Sequence, residues 1–225
     1  MIVVVGTPAW RAAEPAGPAG PACAIAVAAA ARGAAVELVG RAGDDAAGDA
    51  LMIALARAGV GHVALLRDPA RPTPVVDPLE DGEALSPLDD LDEAERSLDG
   101  AVGTAITGPV AAAPRLEPAD IDLGLRYLTS FRVVVVTDDV AAIAVPVAAD
   151  ATSYAGAHLI VLIGAGSSPQ LGLPDTATVL EAPTVDAEGA FAVLVGAYAA
   201  AIDGGALPAE AFKLAVAERG ATALR

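Results

Sequence analysis

The sequence predicts an α/β fold with a mostly parallel sheet, and three observations predict it. Short strand-like runs (residues 2–5, 35–39 and 63–66) alternate with alanine-rich stretches of helical composition (residues 22–32 and 45–58). Both stretches stop at a glycine, Gly33 and Gly59, the residue that closes helices in a left-handed turn. The same alternation returns later, with strand-like residues 132–136, helical residues 141–155 and strand-like residues 158–163.

Each element has its local reason. The four residues Ile2, Val3, Val4 and Val5 before Gly6 read as a strand buried on both faces. Gly17, Pro18, Gly20 and Pro21 read as loop chemistry. Residues 178–180 form a short strand, and residues 185–202 a long apolar helix. Pro208 opens the last helix, where a missing N–H costs nothing. Crossovers between the parallel strands are expected to be right-handed. At 225 residues the expectation is one domain, residues 1–225.

Composition narrows the function. Hydrophobic residues make up 55% but aromatics only 3%, so alanine and valine must build the core by close approach. The formal net charge of −16 argues against nucleic acid and against an anionic membrane surface, both of which need clustered Lys and Arg. Cys23 is the single cysteine, which excludes an intrachain disulfide. The lack of a basic start with a long apolar run is consistent with a cytoplasmic setting. Ten acids between Asp77 and Asp99 read as a solvated acidic face, with a cation site as the sharper alternative. They lack an EF-hand spacing, and no metal is expected.

Ala19, Gly20, Ala22, Ala26, Gly33 and Gly43 fall in the register of the first signature of the PfkB (ribokinase-like) carbohydrate kinases. Gly40, Gly43, Asp45 and Gly48 resemble that family's Gly-x-x-Gly-x-Asp-x-x-Gly stretch. Ala190 and Phe191 resemble the segment after its catalytic motif, and residues 207–215 its closing helix. The resemblance implies a three-layer ribokinase-like fold with a reduced β lid, its elements at residues 10–15 and 62–76, in a chain shorter than its relatives. It also implies ATP and Mg as the cofactors of a sugar or nucleoside kinase, and pairing into a homodimer through the lid.

What the family's chemistry requires is altered here. Phosphoryl transfer needs positioning, charge stabilisation and a base for the hydroxyl proton. The resemblance places Gly189 at the position of the catalytic Asp and Glu188 at that of a glycine in the phosphate-binding turn. Asp186 has two readings, a displaced base or a cap for the following helix. Ala24 stands where the family has a substrate-binding Asn, and an alanine leaves a sugar hydroxyl unpaired. Arg11 stands near the position of a sugar-binding Asp, and its other reading is a surface Arg. Gly20 and Gly43 complete the substrate side. Gly164 and Gly166 after an apolar strand read as a phosphate-binding turn or as a plain loop. His62 and His158 read as structural or surface residues and Cys23 as a packed thiol. The expectation is therefore a PfkB-like protein without normal kinase activity, binding a small molecule or acting as a regulator. The alternatives are an active kinase with a rearranged site and a structural subunit.

Overall fold

The computed structural model describes residues 1–76, 113–168, 172–186 and 189–222; the acidic segment 77–99 and Glu188 lie outside them. A seven-stranded sheet forms from β1 (Ile2–Val5), β4 (Val36–Gly43), β5 (Val60–Gly61), β6 (Leu65–Asp68), β8 (Val133–Val136), β9 (His158–Ile163) and β10 (Thr178–Glu181). Its order is β10-β9-β8-β1-β4-β5, with β6 also beside β4, and every pairing is parallel. The remaining strands, β2 (Ala9–Arg11), β3 (Gly17–Ala19) and β7 (Val75–Val76), form a separate three-stranded sheet, the lid.

The strand residues alternate between two cores. Ile2 and Val4 of β1 face one layer, made of α1 (Gly20–Ala30), α2 (Ala46–Arg57), α5 (Ala190–Asp203) and α6 (Pro208–Thr222). Val3 and Val5 face the other, made of α3 (Pro118–Tyr127) and α4 (Val145–Ala155). This is the predicted three-layer α/β arrangement, in which both faces of a parallel sheet are covered by crossover helices.

Several local expectations shift. The Gly-Pro segment at residues 17–19 is a lid strand, not a loop, because it pairs antiparallel with β2. Two residues of it, Gly and Pro, carry little strand signal. The strand expected at 63–66 starts at Leu65 and belongs to the main sheet rather than to the lid. The helix expected from residue 185 starts only at Ala190. The helix expected at 141–155 divides into a 3-10 turn (Ala142–Ala144) and α4, with Pro146 in its first turn. Gly33 and Gly59 have φ of 81° and 76°, the left-handed backbone expected after a helix.

The first layer is held by close helix contact. A Cβ on Gly196 of α5 would lie 2.7 Å from the Ala28 Cβ, 2.9 Å from the Ile25 carbonyl and 3.0 Å from the Ala29 nitrogen of α1. Tyr198 is buried, and its hydroxyl meets the Thr178 hydroxyl at 2.8 Å, which in turn meets His158 Nε2 at 2.9 Å. Burial lowers the pKa of His158, in keeping with a structural role. Phe212 of α6 packs edge-on against Tyr198 at 6.0 Å, joining the last helix to this unit. Gly196→Ala is expected to force α1 and α5 apart and to cost about 1–3 kcal/mol, read from urea unfolding.

Candidate functional site

β1 lies between β4 and β8, so successive crossovers leave it in opposite directions. That makes the C-terminal end of β1 a topological switch point, where open α/β sheets bind ligands. The floor there is glycine by necessity. A Cβ on Gly6 would lie 2.1 Å from Thr137 Oγ1 and 2.8 Å from the Ala22 Cβ. One on Gly40 would lie 2.7 Å from the Gly6 carbonyl and 3.0 Å from Pro8 Cδ.

Both α1 and α5 point their N-termini at this edge. α1 begins beside Thr7, since a Cβ on Gly20 would sit 3.4 Å from the Thr7 carbonyl. α5 ends at the opposite edge, where Asp203 accepts a 2.6 Å ion pair from the Met1 amine. Its start must therefore lie where the strands finish. Helix N-termini carry free N–H groups and partial positive charge, so this edge is built to attract anions.

The described anions at this edge belong to the chain itself. The Asp186 carboxylate accepts from the Phe191 N–H (3.0 and 3.1 Å) and the Ala192 N–H (3.0 Å) at the start of α5. Asp139 accepts from the Thr7 N–H at 2.7 Å and from the Thr137 hydroxyl, which also lies 3.1 Å from the Val5 carbonyl. Glu181 accepts from the Gly166 N–H at 2.8 Å. Asp138, beside Asp139, has its pKa raised, first by partial burial and then by the Asp139 charge.

The structure places each residue singled out in the sequence. The Asp186 carboxylate sits at the start of α5 and accepts from the Phe191 and Ala192 N–H groups, the geometry of a cap. Gly189 starts α5 in left-handed backbone (φ 66°) with nothing within 4 Å of an added Cβ. Glu188 lies outside the described residues. Ala24 is half-buried and packs against the main core. Gly20 (φ 83°) and Gly43 lie at the base of the lid, and a Cβ on Gly43 would sit 2.4 Å from the Thr73 nitrogen. Arg11 is on lid strand β2, where its Nε donates to the Pro15 carbonyl at 2.8 Å. Gly164 and Gly166 form the turn after β9, closed by Ser167 N–H to the Gly164 carbonyl at 3.0 Å. Cys23 is fully buried, and burial pushes its thiol up to about 12, so it is a packed thiol rather than a nucleophile. Thr137, Asp138 and Asp139 join the site from the structure alone; their one signal in the chain is three polar residues directly after the four valines of β8.

Among the described residues no cluster of three or more His, Cys, Asp or Glu is arranged to hold a metal ion, and no helix is long and apolar enough to cross a membrane. A groove of about 430 Å³ beside Thr152, Ser153, His158 and Pro174 lies at the opposite edge of the sheet.

An open, parallel three-layer α/β sheet with a small β lid over its C-terminal edge is the architecture of the ribokinase-like proteins. Residues 15–79 match the sequence profile described as pfkB family carbohydrate kinase. The structure is similar to a PfkB protein from Polaromonas sp. JS666 (TM-score 0.62, 18% identity, 95% of this chain and 92% of that one). It is also similar to a ribokinase from Arabidopsis thaliana complexed with ribose and ATP (TM-score 0.61, 17% identity, 97% and 90%). A fructokinase from Xylella fastidiosa with bound ATP matches at TM-score 0.53 and 18% identity, over 96% of this chain but only 65% of that one. No curated protein sequence matches. The chain is thus PfkB-like over its first third in sequence and ribokinase-like in fold, in a shortened form.

Asp45 illustrates how the carboxylates are held. Partial burial raises its pKa, but N–H donors from Gly48 and Thr73, the Thr73 hydroxyl and the Arg67 charge outweigh that and leave it below 3.8. Its folded pKa is depressed, so its stabilisation is present above 3.8 and fades as the pH falls through the folded value. The stability gap between the native chain and Asp45→Asn is therefore expected to narrow below pH 3.8 in acid titrations of urea unfolding. Asp186→Ala is expected to cost about 1 kcal/mol at neutral pH through loss of the α5 cap, read by the same unfolding assay.

Proposed function

We propose that the chain is a ribokinase-like protein that binds a small molecule and lacks ordinary ATP-dependent phosphotransferase activity. The observation that carries this is the start of α5. Gly189 offers no proton acceptor there, and the Phe191 and Ala192 N–H groups already bind the Asp186 carboxylate. A γ-phosphate brought to that helix end would displace or meet that negative charge at the Phe191 and Ala192 donors. The described residues at this point do not fit the phosphate of ATP.

Two further contacts support the reading. Glu181 on Gly166 and Asp139 on Thr7 place negative charge on two further N–H donors of the same edge. Asp138 and Asp139 accept hydrogen bonds when ionised, which suits a hydroxyl-bearing ligand without phosphate. Ala24 lowers the number of side chains available to hold such a ligand, which suits a regulatory or sensing role better than tight capture for chemistry.

The test combines turnover with ligand-induced stability. Purified protein with ATP and Mg is expected to phosphorylate sugars and nucleosides far more slowly than ~1 per second, the lower end of ordinary kinases. In thermal shifts, uncharged sugars or nucleosides are expected to raise Tm while ATP leaves it unchanged. Turnover at or above ~1 per second sinks the proposal. If that turnover also disappears in Asp186→Ala or Glu188→Ala, a rearranged kinase site takes its place.

A further inference from the structure

The lid joins the body at three described points: Thr7 and Pro8 before β2, Ala19 and Gly20 after β3, and residues 69–74 before β7. Two of the three are tied by body carboxylates. Asp139 holds the Thr7 N–H at 2.7 Å. Asp45 holds the Thr73 N–H at 2.8 Å and the Thr73 hydroxyl at 2.7 Å. The third, Gly20, has no side chain with which to tie anything.

Thr73 is the most elaborate of these joints. It is 3% exposed. Its oxygen also accepts the Gly43 N–H at 2.9 Å, so one side chain links the end of β4, the start of α2 and the strand entering the lid. The next residue carries the link onward, because the Pro74 carbonyl accepts the Trp10 N–H of β2 at 2.8 Å. Gly43 has no room for a Cβ because the Thr73 nitrogen would be 2.4 Å from it.

Apart from Trp10, which packs against the main core, the described apolar anchoring of the lid is small. Its own buried apolar cluster is three residues, Ala9, Ala19 and Val76. Regions with few apolar contacts open locally at low free energy, so their position depends on the few polar contacts at their base. We propose that the Asp45–Thr73 contact is the latch that fixes the lid over the switch-point edge, and that its loss frees the lid as a unit while the parallel sheet stays folded. The latch is a property of the scaffold and stands whether or not the edge binds the ligand proposed above.

The chain carries one tryptophan, Trp10, on lid strand β2 with its ring against the main core, so the lid has a built-in reporter. The experiment is hydrogen exchange together with acrylamide quenching of Trp10, on the full chain and three variants. Thr73→Val removes the hydroxyl at nearly constant shape, and Thr73→Ser restores it. Asp45→Asn keeps an α2 cap but loses the charged acceptor, and it serves if Thr73→Val is too unstable to isolate. Thr73→Val and Asp45→Asn are expected to speed exchange of the described lid amides about tenfold and to raise Trp10 quenching. Amides of β1 and β8 should accelerate by no more than the loss of global stability read from urea unfolding, well below the change in the lid, and Thr73→Ser should match the native chain. Unchanged lid exchange in both disruptive variants overturns the proposal. So does equal acceleration of lid and sheet amides, which would mean global destabilisation rather than release of the lid.

Discussion

The close crossing of α1 and α5 is the constraint on which the rest of this structure depends. A core that is rich in alanine and valine and poor in aromatics can fill space only if its elements approach closely. Gly196 permits this by bringing its backbone against Ile25, Ala28 and Ala29. Because both helices run back along the sheet, their contact also decides where their N-termini end up. Gly6 and Gly40 do the same for the strand ends, so helix starts and strand ends converge on one edge.

Convergence of that kind concentrates backbone N–H groups, and unsatisfied donors are costly if they are shielded from water. The chain meets the demand with its own carboxylates: Asp186 on α5, Asp139 on Thr7, Glu181 on Gly166 and Asp45 on α2 and Thr73. The same contacts hold the scaffold in place and lower the positive potential at those donors, while α1 starts with no side-chain cap and no acid in its first turn. In a chain of net charge −16 this is the natural solution, because carboxylates are plentiful and Lys and Arg are few. Arg67 is an exception that completes the pattern, since it is paired with Asp44 and Asp49 beside the Asp45 cap.

Much of the fold is legible in the chain because its requirements are local. A glycine after a helix, four β-branched residues in a row and a proline at a helix start each act through their own backbone. The lid is harder to see, since its strands are two or three residues long and one of them is Gly-Pro-Ala. Pairing partners create such strands, and partners distant in sequence leave no local trace. The start of α5 lies later than its sequence pattern suggests for a related reason. Asp186 suits a helix start by residue type, but it caps from several residues upstream, reaching Phe191 and Ala192, and no local rule specifies that reach. Thr137, Asp138 and Asp139 carry no local mark of their role, because nothing in a strand's end identifies which neighbours will meet it.

The sequence by itself determined the α/β alternation, the helix-ending glycines and the spacing that resembles the PfkB signature, since these depend on residues a few positions apart. It also determined that Gly189 and Ala24 bring no functional group to their positions, because side-chain chemistry is written in the chain. Only the tertiary structure decided what the carboxylates do. Whether Asp186, Asp45 or Asp139 faces solvent or a backbone N–H turns on distances of about 3 Å between groups up to 132 residues apart. Charge in a sequence fixes how much is available, but hydrogen-bond geometry fixes where it is neutralised, and that geometry exists only once the helices and strands have packed.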